Sequence, residues 1–278
     1  MAENEKINNE AADLPDSTIA QLDGLLPVDD FVEEVSVDGK KETRKGIYLL
    51  PNLFTTGALF SGFYAVINAM QDHYEAAAIA IFVAMILDGL DGRVARLTNA
   101  QSAFGAEYDS LSDMVSFGLA PALVMFSWAL SSLGKLGWAA AFIYVAGAAV
   151  RLARFNTQIE TADKRYFTGL ASPSAAAVLA ALMWLSSDFG WVGEGLPRMV
   201  AYLAAAITAV TGLLMVTNFK YQSFKGLDLR GRVPFAMVVI IIMIFAVIVI
   251  DPPSVLLFLF AVYSFSGPVA ALFSKKTE

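Results

Sequence analysis

Asp88 and Asp91 stand three residues apart, and Asp109 and Asp113 stand four apart, in stretches that are otherwise largely apolar. On a helix both spacings put the two side chains of a pair on one face. Four carboxylates in an apolar setting are costly unless cations compensate them, and ionisable residues inside a membrane span mark function. All-oxygen donors select hard divalent cations such as Mg²⁺, Mn²⁺ or Ca²⁺ over zinc. Two such ions sharing carboxylates could hold a diphosphate, stabilise its developing charge and orient an attacking oxygen, which fits phosphoryl transfer. Few side chains compete for the chemistry. The chain has no Cys and a single His, His73, so a thiolate nucleophile, a Cys-ligated metal and a multi-His site within one chain are excluded.

The elements that must position these carboxylates are apolar runs. With 57% hydrophobic and 16% charged residues in 278, the chain holds runs at about 50–70, 74–97, 106–131, 137–157, 172–188, 198–217, 233–250 and 254–273. A bilayer core of about 30 Å takes roughly 20 helical residues, and a span in lipid must satisfy its own backbone. The expectation is an all-α, polytopic membrane bundle of about eight transmembrane helices. Asp88 and Asp91 end the second run, and Asp109 and Asp113 open the third, with a short turn at Asn99 to Ser102 between them. Two antiparallel helices would then bring the pairs face to face across a gap one or two ions wide. Gly92, Ala95 and Gly105 lie beside the aspartates, where a missing side chain lets helices approach or leaves room for a ligand. Arg96, one turn from Asp91, could reach a phosphate.

Charge sets the expected orientation. Residues 1–38 carry eleven Asp or Glu and one Lys, against 15 acidic and 18 basic residues in 39–278. The acidity belongs to a polar N-terminal tail without the features of a signal peptide, read as largely disordered apart from a short helix about Ile19 to Leu26. Residues 39–49, with Lys40, Lys41, Arg44 and Lys45, form a basic juxtamembrane segment suited to anionic headgroups. Residues 50–273 make the membrane domain, and 274–278 a cytoplasmic end. With the N-terminus cytoplasmic, seventeen Lys and Arg fall on that side and only Lys135 and Arg198 on the other, so both termini and the aspartates are expected to face the cytoplasm.

As a whole, the string Asp88-x2-Asp91-Gly92-x2-Ala95-Arg96-x8-Gly105-x3-Asp109-x3-Asp113 resembles the complete signature of the CDP-alcohol phosphotransferases. The resemblance implies two divalent ions per active site, Mg²⁺ or Mn²⁺. Asp88 and Asp109 would bridge them, Asp91 would bind one and Asp113 the other, with Asp113 also the base for the acceptor hydroxyl. Gly92, Arg96 and Ser102 would contact the CDP moiety. Pro51-Asn52-Leu53-Phe54-Thr55 resembles the family's Pro-Asn-x2-Thr segment, which makes Asn52 and Thr55 further CDP-diacylglycerol contacts. CMP would leave.

Two later stretches bear on the acceptor. Arg151-Leu152-Ala153-Arg154-Phe155-Asn156 and Phe167-Thr168-Gly169-Leu170-Ala171-Ser172-Pro173 are similar to segments of the family's integral-membrane phosphatidylserine synthase branch, with Ala171 where that branch has Pro. They imply L-serine as acceptor. Arg151 or Arg154 could bind its carboxylate by a bidentate fork, and Asn156 could contact either of its charged groups. Glycerol 3-phosphate or an inositol derivative would keep the family and change the acceptor; a cation-coupled transporter is the alternative from another class. The resemblance further implies a multi-pass cell inner-membrane enzyme surrounded by membrane lipid, a homodimer, and no nucleic-acid partner.

Overall fold

The computed structural model describes residues 32–37, 40–45, 49–98, 102–158, 166–222 and 235–274. The tail to residue 31 with its expected short helix, the turn tip 99–101, the basic residues of 159–165 and 223–234, and Lys275 and Lys276 lie outside the described residues.

Among the described residues eight long helices follow one another: α1 (Leu49–Met70), α2 (Tyr74–Leu97), α3 (Ala103–Trp128), α4 (Lys135–Gln158), α5 (Ser172–Asp188), α6 (Arg198–Val216), α7 (Phe235–Ile250) and α8 (Pro252–Ser274). Each falls on one of the eight apolar runs. Local chemistry sets the ends. Between α1 and α2, Asp72 takes a positive φ of 60°, a left-handed conformation that Asp tolerates better than most residues. Pro173 sits in the first turn of α5, and Pro252 and Pro253 open α8. There a missing N–H is harmless, because the first N–H groups of a helix have no intrahelical partner. Ala171, just before α5, has φ −64° and ψ 133°, a backbone that proline would also adopt.

Five of the eight helices, α1, α3, α4, α6 and α8, are long and apolar enough to cross a membrane. Their outward faces carry large exposed apolar side chains, among them Phe60, Phe63, Phe142, Leu213, Phe258 and Phe265. An exposed apolar surface of that extent belongs in lipid, and the chain is an integral membrane protein. The core is built from small residues. On α5, Ala175, Ala176, Ala177, Leu179, Ala181 and Met183 are buried without remainder, so this helix sits inside the bundle. Where α4 crosses α6, a Cβ on Gly212 would come within 2.6 Å of Tyr144 Cα. Only glycine allows that approach.

Two short antiparallel ribbons among the described residues accompany the helices: β1 (Val32–Val37) with β2 (Lys40–Lys45), and β3 (Tyr166–Thr168) with β4 (Lys220–Gln222). The first runs from the end of the acidic segment into the basic one, with Val35 opposite Glu42 and Glu33 opposite Arg44 in register. The second joins the two polar connections after α4 and α6, pairing Phe167 with Tyr221. Gly169, at φ 81°, donates its N–H to Phe219 O at 2.9 Å, and Leu170 N donates to Leu214 O at 3.1 Å. The chain entering α5 is thereby tied to the end of α6.

α3 is not uniform. It runs as α-helix over Ala103–Asp113, widens to a π-helix over Met114–Leu119, and resumes as α-helix over Ala120–Trp128. The cause is in the sequence. Pro121 has no N–H for the carbonyl of Phe117 four residues earlier, and its ring would clash with that carbonyl in a regular helix. The wider turn relieves the clash. Phe117 O accepts instead from the hydroxyl of Tyr144 on α4, at 2.9 Å, both residues being fully buried.

Candidate active site

α2 and α3 place their aspartates in opposition. One carboxylate oxygen from each of Asp88, Asp91 and Asp109 lies within 4.8 Å of the other two. Asp113 is outside that tight trio but within hydrogen-bond reach of Asp88, as Asp91 is of Asp109. The three- and four-residue spacings thus act as expected: the first member of one pair meets the last of the other, as in any antiparallel helix pair. Asp91 is almost wholly buried.

α1 supports the cluster from behind. Thr55, also buried, donates its hydroxyl to Asp91 Oδ2 at 2.8 Å. Ser112, between Asp109 and Asp113, donates to the carbonyl of Thr55 at 3.1 Å, and one turn on Ser116 donates to Ala58 O at 3.0 Å. Gly62 completes the seam: a Cβ there would lie 2.7 Å from Ser116 Cα. α1 and α3 are therefore bolted together by two serine hydroxyls and one missing side chain, and the bolt holds the residue that orients Asp91.

α4 closes the other side. Arg151 lies close enough to Asp88 and Asp113 for mutual electrostatic attraction. Its Nη1 donates to Ser172 Oγ of α5 at 2.9 Å, while its Nε is buried without a hydrogen-bond partner. Asn156 reaches Ser110 of α3, with Nδ2 to Oγ at 3.0 Å. Arg154 sits at intermediate exposure on the same helix.

The nucleotide-side residues divide. Asn52 Nδ2 is buried and unpartnered, and its Oδ1 lies beside Gly105, where a Cβ would be 3.5 Å away. Gly92 faces open space, with no atom within 4 Å of a Cβ placed there. Ser102 caps α3, accepting from Gly105 N at 2.9 Å. Arg96 is exposed and donates from Nε to its own helix at Gly92 O, 2.8 Å. The structure therefore gathers Asp88, Asp91, Asp109, Asp113, Thr55 and Arg151 into one site, leaves Asn52 and Gly92 at its open margin, and turns Arg96 along the surface.

The donor set suits a hard divalent cation. It offers carboxylate oxygens alone, and Asp109 Oδ1 is buried with no hydrogen-bond partner. Leaving such an atom unpaired is costly, and a cation among the three carboxylates would supply the missing partner. Ser112, Ser172, Tyr144 and the Thr56–Tyr108 hydroxyl pair, at 2.8 Å, escaped the reading of the sequence. Ser112 carries one signal, since it shares the helix that bears Asp109 and Asp113 and falls between them.

A family model described as CDP-alcohol phosphatidyltransferase matches residues 48–216, which hold every residue of this site. Among characterised proteins, the chain is 34% identical over 217 residues to the CDP-diacylglycerol–serine O-phosphatidyltransferase of Helicobacter pylori strain ATCC 700392 / 26695, covering 78% of this chain and 90% of that protein. It is 33% identical over 223 residues to the enzyme of the same name from Mycobacterium tuberculosis strain ATCC 25618 / H37Rv, covering 77% and 76%. The Bacillus subtilis strain 168 enzyme of that name is 32% identical over 176 residues, covering 63% and 91%.

Proposed function

We propose that this chain, which belongs to the CDP-alcohol phosphatidyltransferase family, transfers the phosphatidyl group of CDP-diacylglycerol to the hydroxyl of L-serine, giving phosphatidylserine and CMP. The observation that carries the proposal is the aspartate cluster with Arg151 immediately beside it. The serine enzymes to which the chain is similar over most of its length support the choice of acceptor.

Asp88, Asp91, Asp109 and Asp113 would hold two divalent ions, Mg²⁺ or Mn²⁺. Bound there, the ions would offset the charge of the diphosphate and of the departing CMP. Asn52, Thr55, Gly92, Arg96 and Ser102 would contact the CDP moiety, with Gly92 leaving open surface for it and Arg96 turning from Gly92 O to reach it. Asp113 takes the proton of the serine hydroxyl as its oxygen bonds to the phosphorus bearing the diacylglycerol and the bond to CMP breaks. A carboxylate within hydrogen-bond reach is what such a weak nucleophile requires. Arg151, with one N–H still free of a partner, binds the serine carboxylate; Arg154 and Asn156 lie further along the same helix.

All eight helices cross the bilayer in this reading, with both termini and the aspartates on the cytoplasmic side of the inner membrane and the acyl chains held in lipid. The seventeen-to-two division of Lys and Arg supports that orientation. The functional unit is a homodimer.

The test is an acceptor competition. Purified protein with CDP-diacylglycerol and Mn²⁺ is given labelled serine, glycerol 3-phosphate or inositol in separate reactions. Label from serine enters lipid and the other two do not; incorporation of glycerol phosphate without serine would reject the assignment.

A further inference from the structure

Tyr144 stands seven residues before Arg151 on α4 and is one of its electrostatic neighbours, and it answers the carbonyl to which Pro121 denies a helical donor. The π-turn it meets begins at Met114, the residue after Asp113. A π-turn inserts one residue into the helical repeat, and such turns recur at functional sites. Here the effect is specific: the half of α3 that bears Asp109 and Asp113 is rotated relative to the half that runs on into the bundle. Ala120 N reaches back five residues to Val115 O, which fixes the wider repeat. Gly118 is wedged as well, since a Cβ there would lie 3.0 Å from Met114 Sδ and 3.1 Å from Ala148 Cβ on α4.

We infer that Pro121, the Phe117 carbonyl and the Tyr144 hydroxyl form a positioning device that holds the π-turn and thereby aims Asp109 and Asp113 at Asp88 and Asp91. Without the hydroxyl, the buried Phe117 carbonyl loses its side-chain donor while Pro121 still denies it the regular helical one, and the turn is free to settle into another repeat. A change of repeat rotates the two halves of a helix relative to one another by a large angle. The aspartate pair of α3 cannot then keep its register with that of α2.

The inference rests on the cluster being the divalent-metal site, and binding of Mn²⁺ tests both separately. Mn²⁺ titrations are followed by electron paramagnetic resonance on the purified full-length protein, without substrate. If wild type binds no Mn²⁺, the metal reading fails. With wild-type binding in hand, Tyr144→Phe, which keeps the ring and removes only the hydroxyl, weakens Mn²⁺ binding by about tenfold, the low end of what loss of a supporting partner costs at metal sites. Pro121→Ala restores an N–H for Phe117 O, lets the helix return to the regular repeat, and weakens Mn²⁺ binding by itself. In that background Tyr144→Phe has no further effect, because its carbonyl already has a donor. Mn²⁺ binding unchanged in Tyr144→Phe, or an equal loss with and without Pro121, would overturn the inference. Should Tyr144→Phe not yield folded protein, Pro121→Ala alone decides, and wild-type Mn²⁺ affinity in it counts against the device.

Discussion

Among the described residues, two helices carry a proline in their interior, and they resolve the same defect differently. In α3, Pro121 orphans Phe117 O, and the helix widens to a π-turn while Tyr144 of α4 donates to the carbonyl at 2.9 Å. In α8, Pro268 orphans Ser264 O, the helix stays α, and Tyr221 of β4 donates at 3.0 Å. The ring of Tyr221 lies flat against the helix, where a Cβ on Gly267 would come within 2.5 Å of it. Burial pushes the Tyr221 phenol up to about 12, so it remains a donor at any working pH. The first device shifts the register of the helix that bears Asp109 and Asp113. The second pins the connection after α6 to α8 and sets Tyr221 beside Tyr263, with ring centroids 5.6 Å apart, and Tyr263 is an electrostatic neighbour of Arg151. Tyr144 thus acts on the helix that bears two of the aspartates and itself lies near Arg151, whereas Tyr221 reaches the side assigned to the acceptor only through Tyr263.

The largest effect expected on the first side comes from Asp109→Asn. It removes a charge from the trio and lowers Mn²⁺ affinity and kcat by at least about a hundredfold, beyond the usual cost of changing a supporting group. Parallel Mn²⁺ titration and CMP-release assays check it. On the second side, Arg151→Lys keeps the charge and loses the planar fork. Serine KM rises by roughly tenfold or more, the worth of one charge-assisted hydrogen bond, while Mn²⁺ binding persists. If Mn²⁺ binding collapses with serine KM unmoved, Arg151 belongs to the aspartate side and the division between the sides fails.

How far these features can be read before folding depends on how local their causes are. Aspartates three and four apart, a proline at a helix start and a run of about 20 apolar residues act within a turn or two. Spacing alone therefore announced the facing pairs and the eight helices. Tyr144 and Ser172 act across the bundle. Nothing near Tyr144 distinguishes it from a core aromatic, and its role exists only because Pro121 orphans a carbonyl on another helix. Pro121 was visible inside an apolar run; which hydroxyl answered it was not. The β3–β4 ribbon was hidden for the same reason, as three-residue strands in polar connections have no periodicity to show.

Smaller effects sharpen the comparison. Gly62→Ala forces a methyl against the Ser116 backbone and costs about 1–3 kcal/mol by overpacking, seen as a lower Tm in detergent; an unchanged Tm would mean that the α1–α3 seam can open. Tyr221→Phe is the mildest. Loss of one hydrogen bond costs about 1 kcal/mol and raises serine KM slightly, with Mn²⁺ affinity as in wild type. Had Tyr221→Phe weakened Mn²⁺ binding as much as Tyr144→Phe, the two prolines would not be serving separate sides.

The central claim, that the aspartates perform the transfer and Asp113 takes the proton, is tested most directly by serine-dependent CMP release from CDP-diacylglycerol in wild type and Asp113→Ala. The account predicts release in wild type that requires serine and Mn²⁺ or Mg²⁺, and its loss in the variant while the protein remains folded. Release at the wild-type rate in Asp113→Ala would contradict it.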